Sequence, residues 1–129
     1  MSGAGDILVV DDEVNIVSLV VDLLQDEGYS VRSALNGAQA LQIIAQQKPA
    51  LILMDMYMPQ MTGIMLVEHL HSQGISDIPI ILMTASPGAA ERLAASNTTV
   101  DYLAKPFDID DLLSCVSRYI PAAGANGAS

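Results

Sequence analysis

The chain has 129 residues, 51% of them apolar, and one cysteine; this suits a single domain with an ordinary core and excludes an internal disulfide framework or a Cys-based zinc site. A formal net charge of −10, with five basic residues (Arg32, Lys48, Arg92, Lys105, Arg118) scattered along the chain, argues against direct nucleic-acid binding, because phosphate contacts need clustered Lys and Arg. The apolar runs are strand-sized, short of the ~20 residues of a membrane span, and MSGAGDILVV carries no basic n-region of a signal peptide, so a cytoplasmic protein with no membrane partner is expected.

The first apolar run, Ile7–Val10, predicts a buried strand and leads directly into Asp11-Asp12-Glu13. Ile16, Leu19, Val20, Leu23 and Leu24 follow at the spacing of one helical face, and Gly28 stands where a left-handed residue would stop that helix. Ser30–Ala34 predicts a second strand. Asn36 is placed to cap a second helix with Ala40, Leu41 and Ile44 on one side, and Pro49 ends that unit. Leu51–Met54 predicts the third strand, closed by Asp55, with Pro59 and Gly63 punctuating the loop beyond it. The third helix is expected over 64–73, presenting Leu66, Val67 and Leu70 and stopping at Gly74.

Ile78–Met83 predicts a fourth strand covered on both faces. Ser86-Pro87 predicts an N-cap and first helical residue, opening a short Ala-rich helix with a weak apolar stripe and hence loose packing. Tyr102–Ala104 predicts a fifth, short strand. Asp108 is placed to cap the last helix, with Phe107 against Leu112 as a hydrophobic staple. Its inner face reads Ile109, Leu112, Leu113, Val116 and Ile120, with the Cys115 thiol on or beside it. The expected organisation is an N-terminal arm over 1–5, one domain over 6–120 and a disordered tail or linker stub over 121–129.

Strand–helix pairs repeating roughly every twenty to twenty-five residues imply an α/β fold, a five-stranded parallel sheet with helices on both faces. Right-handed crossovers make it an open doubly wound sheet, which binds ligands at the carboxyl ends of its strands. At those ends stand Asp11 and Asp12, Asp55, Thr84 and Lys105. Carboxylates crowded together disfavour their own ionisation, and a hard cation such as Mg²⁺, bound through oxygen ligands and water, removes the conflict. A carboxylate beside Mg²⁺ can attack phosphorus to give an acyl phosphate. Phosphoryl transfer needs in-line positioning and neutralised peripheral oxygens, to which Lys105 and the Thr84 hydroxyl can contribute. His69 and His71, at i and i+2 on the third helix, point apart and read as solvated surface.

The segments Ile7-Leu8-Val9-Val10-Asp11-Asp12-Glu13, Leu53-Met54-Asp55-Met56-Tyr57-Met58-Pro59, Met83-Thr84-Ala85 and Tyr102-Leu103-Ala104-Lys105-Pro106-Phe107 together resemble the motifs of the receiver domain of bacterial response regulators, over about residues 5–120. The resemblance implies the flavodoxin-like strand order 2-1-3-4-5. It implies that Asp55 accepts a phosphoryl group from a histidine kinase or phosphotransfer protein. Asp11, Asp12, Asp55 and the backbone carbonyl of Tyr57 would hold Mg²⁺, and Thr84 and Lys105 would contact the phosphoryl group. The Lys105–Pro106 bond would be cis, Tyr102 would change rotamer between states, and the face of the fourth helix, fifth strand and fifth helix would meet an output partner or effector domain. Such a domain assists its own phosphorylation and dephosphorylation without being an enzyme.

The sequence departs from the family at Asn97-Thr98-Thr99-Val100, where a Gly-Ala turn is usual, and at Pro87-Gly88. A Mg²⁺-dependent aspartyl phosphatase of the haloacid dehalogenase type is disfavoured, because it needs a second Asp where Tyr57 stands. A flavin or nucleotide binder is disfavoured too, since neither GxxxxGK[ST] nor GxGxxG is present. A degenerate receiver used only for docking is the remaining alternative, against which the full acidic set argues.

Overall fold

In the computed structural model, residues 6–97 and 99–120 are described; the expected arm over 1–5, the tail over 121–129 and Thr98 lie outside them. Strands and helices alternate in the order β1 (Asp6–Val10), α1 (Val14–Asp26), β2 (Ser30–Ala34), α2 (Gly37–Gln46), β3 (Leu51–Asp55), α3 (Gly63–Ser72), β4 (Ile80–Thr84), α4 (Gly88–Ser96), β5 (Val100–Ala104) and α5 (Ile109–Ser117). The strands form one parallel sheet in the order β2-β1-β3-β4-β5, as expected.

Side chains alternate across a strand, so each central strand feeds two cores. Leu8, Val10, Ile52, Met54, Ile80 and Leu82 pack with Ala40 and Ile44 of α2, Leu66, Val67 and Leu70 of α3, and Ala90 of α4. Ile7, Val9, Leu51, Leu53, Ile81 and Met83 pack with Val20 and Leu24 of α1 and with Leu112, Cys115 and Val116 of α5. Every residue of β3 and β4 is buried, which explains their continuous apolar character.

Local chemistry sets most of the element ends. Gly28 and Gly74 take φ of 93° and 81° and close α1 and α3, a conformation that favours glycine. Asn36 Oδ1 accepts from the Gln39 N–H at 2.8 Å and Thr62 Oγ1 from the Met65 N–H at 3.1 Å, capping α2 and α3. Asp108 Oδ1 accepts from the Asp111 N–H at 2.8 Å, and the Asp111 carboxylate accepts in return from the Asp108 N–H at 3.3 Å. This is a reciprocal cap with a second Asp in place of the usual Glu or Gln. Phe107 joins the same cluster as Leu112, as a staple requires.

Several expectations are corrected. Leu19 is 54% exposed and Ile109 43% exposed; the buried faces of α1 and α5 run instead through Val17, Val20 and Leu24, and through Leu112, Cys115 and Val116. Strand β4 starts at Ile80, not Ile78, because Pro79 has no N–H to donate and serves the sheet through its carbonyl, which accepts from Ile52. Strand β5 is longer than expected, from Val100, and Thr99 is joined to the sheet through a 2.7 Å bond from the Ile80 N–H. Ser86 does not cap α4: Pro87 occupies the cap position, with no side-chain bond there. The expected loose packing of α4 is reflected in its burying Ala90, with Ala89, Leu93 and Ala94 only partly covered.

Candidate functional site: an acidic pocket at the strand ends

Register alone brings the predicted residues together. Val10 is level with Met54, Asp55 with Met83, and Thr84 with Ala104. Asp11, one step past Val10, therefore stands beside Asp55, and Lys105, one step past Ala104, stands beyond Thr84. The Lys105 N–H donates to the Thr84 carbonyl at 2.8 Å and the Met56 N–H to the Met83 carbonyl at 2.9 Å, extending the ladder to the rim of the sheet.

Each of Asp11, Asp12 and Asp55 offers a carboxylate oxygen, and these oxygens all lie within 4.8 Å of one another. Asp11 is fully buried and Asp55 nearly so, while Asp12 is exposed. Lys105 Nζ donates to Asp55 Oδ1 at 3.1 Å and lies 3.9 Å from Asp11 Oδ2. Asp11 Oδ1 accepts from the Glu13 N–H at 2.9 Å, but its buried Oδ2 has no hydrogen-bond partner. Burial raises the Asp11 carboxyl above its ordinary value, and the charges of Asp55 and Asp12 push the same way; the Glu13 N–H and Lys105 offset part of this. One ammonium thus faces three carboxylates. An orphaned buried oxygen beside two further carboxylates fits a hard divalent cation of the Mg²⁺ kind, with Asp11, Asp12 and Asp55 as its protein ligands.

The remaining predicted residues sit around this pocket. The Thr84 side chain is buried, and its hydroxyl is held in the loop after β4: it accepts from the Ser86 N–H at 3.0 Å and donates to the Ser86 carbonyl at 3.1 Å. Tyr57, 56% exposed, follows in the loop after β3. The Lys105–Pro106 peptide bond is cis. Tyr102 is half-buried on β5, and its hydroxyl donates to Glu91 Oε2 at 3.0 Å. His69 and His71 lie on α3, outside the acidic group.

Sequence reasoning missed three features. An apolar recess of about 390 Å³ lies beside the pocket, lined by Ile16, Leu19 and Val20 of α1, Ala85, and Lys105-Pro106-Phe107; Leu19 belongs to its wall and not to the core. Asp101 accepts from Arg118 Nη1 at 2.9 Å and from the Tyr119 hydroxyl at 2.8 Å, joining β5 to the end of α5. Gln60 adopts φ 72° at the centre of a tight turn in which the Met61 N–H donates to the Pro59 carbonyl at 2.8 Å, a strained three-residue geometry that no Gly announces.

The comparisons with known proteins agree with this geometry. Residues 7–117 match the model of the response regulator receiver domain. Sporulation initiation phosphotransferase F of Bacillus subtilis (strain 168) is 37% identical over 117 residues, 89% of this chain and 93% of that protein. Response regulator MprA of Mycobacterium sp. (strain KMS) is 38% identical over 109 residues, 84% of this chain but 47% of that longer protein. Among solved structures, the Vibrio cholerae chemotaxis protein CheY4 superposes with a TM-score of 0.82 at 29% identity, over 91% of this chain and 99% of that one.

Proposed function

This chain belongs to the receiver domains of two-component response regulators, and on that premise we propose that Asp55 is its phosphoacceptor. Receiver domains are phosphoacceptors rather than enzymes, and they interact with histidine kinases or phosphotransfer proteins and with output domains. The observation that carries the assignment to Asp55 is its place at the end of β3, within ligand distance of Asp11 and Asp12 and in an ion pair with Lys105.

When bound, Mg²⁺ neutralises the carboxylates and the phosphoryl oxygens. The chain's own residues do the rest. Asp55 supplies the carboxylate oxygen that forms the new bond to phosphorus, while the bond from phosphorus to the donor's leaving group breaks. Asp11 and Asp12, with the Tyr57 carbonyl, fix the charge environment around Asp55. Lys105 holds one Asp55 oxygen before transfer and is close enough to contact a peripheral oxygen of the phosphoryl group afterwards. The domain assists its own phosphorylation and dephosphorylation through this positioning. The apolar recess walled by Leu19 and Phe107 opens beside Lys105, so a donor protein can seat an apolar face there while presenting its phosphohistidine. A relative of nearly equal length is named a phosphotransferase, which supports a place in a phosphorelay.

Thr84 and Tyr102 form the switch in this reading. Thr84 can give up its donated bond to Ser86 and donate instead to a phosphoryl oxygen. Ala104 is level with Thr84 and Tyr102 with Leu82 on the same face, so the ring has a path toward the place the hydroxyl leaves. The face of α4, β5 and α5 then meets the output partner, in the cytoplasm. A small phosphodonor with Mg²⁺ followed by peptide mapping tests the assignment: the adduct is expected on Asp55, and a main product on any other residue overturns it.

A further inference from the structure

Adjacent residues of β5 point to opposite sides of the sheet, and each is tied to a different helix. Asp101 is bound by Arg118 and Tyr119 at the end of α5, a helix anchored by Leu112, Cys115 and Val116. Tyr102 is bound by Glu91 of α4. The two attachments differ in what surrounds them. Helix α4 buries Ala90 and begins without a side-chain cap, and the Tyr102–Glu91 bond is the one side-chain hydrogen bond between α4 and β5 among the described residues. The carboxylate also raises the Tyr102 phenol above its ordinary value, chiefly through that bond. The inner part of the ring packs against the cluster containing Ala90 and Val100, while the hydroxyl is drawn outward. Toward the site, Ala104 presents no side chain beyond its Cβ, so nothing bulky on β5 separates Tyr102 from the level of Thr84.

We propose that Glu91 is a positioning residue that latches Tyr102 outward and so opposes the phosphorylated arrangement of the domain. The inference rests on the reading of Asp55 and of the Thr84–Tyr102 switch given above. A bond made in only one of two forms weights the equilibrium toward that form. A ligand selecting the other form then binds with an apparent Kd raised by the inverse of that form's population. Removing the latch enlarges that population, so a phosphoryl analogue on Asp55 should bind more tightly with no new contact to it.

The experiment titrates beryllofluoride with Mg²⁺ into the whole chain and follows amide signals near Asp55 together with the Tyr102 ring by NMR. Glu91→Ala is expected to tighten the apparent affinity by about threefold or more, the scale of one modest hydrogen bond. Glu91→Gln keeps an oxygen acceptor and should stay nearer wild type. In a Tyr102→Phe background, Glu91→Ala should add nothing, because the donor is already gone. Unchanged affinity in Glu91→Ala, or the same gain with and without the Tyr102 hydroxyl, overturns the latch; the second result would trace the effect to the charge at the start of α4. If wild type shows no beryllofluoride shifts near Asp55, the phosphoacceptor reading falls and takes the latch with it. If those shifts occur while the Tyr102 ring stays unmoved, the switch and the latch fall but Asp55 stands.

Discussion

Cys115 shows how burial alone decides a residue's chemistry. The residue is 3% exposed, and desolvation, with a smaller push from Asp101, raises the thiol to about 11 from an ordinary 9.0. The folded state therefore holds the thiol proton more tightly than the unfolded chain does. That contribution to stability is fully present below 9.0 and is lost as pH rises through about 11. Wild type should thus lose stability relative to Cys115→Ala across that interval, read as converging denaturation midpoints. The thiol should also resist alkylation at pH 8 until the chain is unfolded. Gly63 is decided by space. A Cβ there would lie 2.5 Å from Leu82 Cδ2 and 3.2 Å from the Met56 backbone, while its N–H donates to the Met56 carbonyl at 2.7 Å. Gly63→Ala should cost about 1–3 kcal/mol in chemical denaturation and should disturb the loop that follows Asp55. The sequence marked Gly63 as loop punctuation without revealing this contact, because a close approach depends on Leu82 from a different strand.

At the scale of elements, residues whose meaning is local were legible and those whose meaning is mutual were not. Asn36, Gly28, Gly74 and Asp108 act on their own backbone neighbourhood, and each does what its type implies. Losing the Asp108 cap by Asp108→Ala should cost about 1 kcal/mol, measurable as a lower melting temperature with α5 amides exchanging sooner than those of β3. Helix faces were less legible. Leu19 and Ile109 fit an apolar stripe as well as Val17 and Cys115 do, since periodicity leaves the stripe's edges open by about a residue. What decides is the partner: α1 is oriented by β1, β2 and the recess near Phe107, none of which its own sequence describes. Ser86-Pro87 is a local exception. The Ser86 backbone is engaged by the Thr84 hydroxyl two residues before it, a side-chain turn that competes with the helix-start signal. The acidic pocket was legible because parallel strands end at one edge of the sheet, so an Asp at the end of a run is already a position in space.

Across the whole molecule, the charge held in that pocket links binding to folding. One ammonium against three carboxylates leaves the native state with repulsion that the unfolded chain relaxes. Binding of Mg²⁺ to the folded form should stabilise it by RT ln(1 + [L]/Kd), about 2.7 kcal/mol at a hundredfold excess over Kd. A double Asp11→Asn, Asp12→Asn variant should be more stable than wild type without metal, by of order 1 kcal/mol, and should respond less to Mg²⁺. Melting curves of both proteins over a Mg²⁺ series check this; a wild type indifferent to millimolar Mg²⁺ would show that the pocket does not hold the cation.

Everything proposed for this domain depends on Asp55 taking the phosphoryl group. Intact mass after incubation with acetyl phosphate and Mg²⁺ tests it most directly, run on wild type and on Asp55→Asn side by side. Wild type should gain the mass of one phosphoryl group, and Asp55→Asn should gain none while keeping its native fold. Equal labelling of the two proteins, or a wild type that never acquires the added mass, would contradict the assignment.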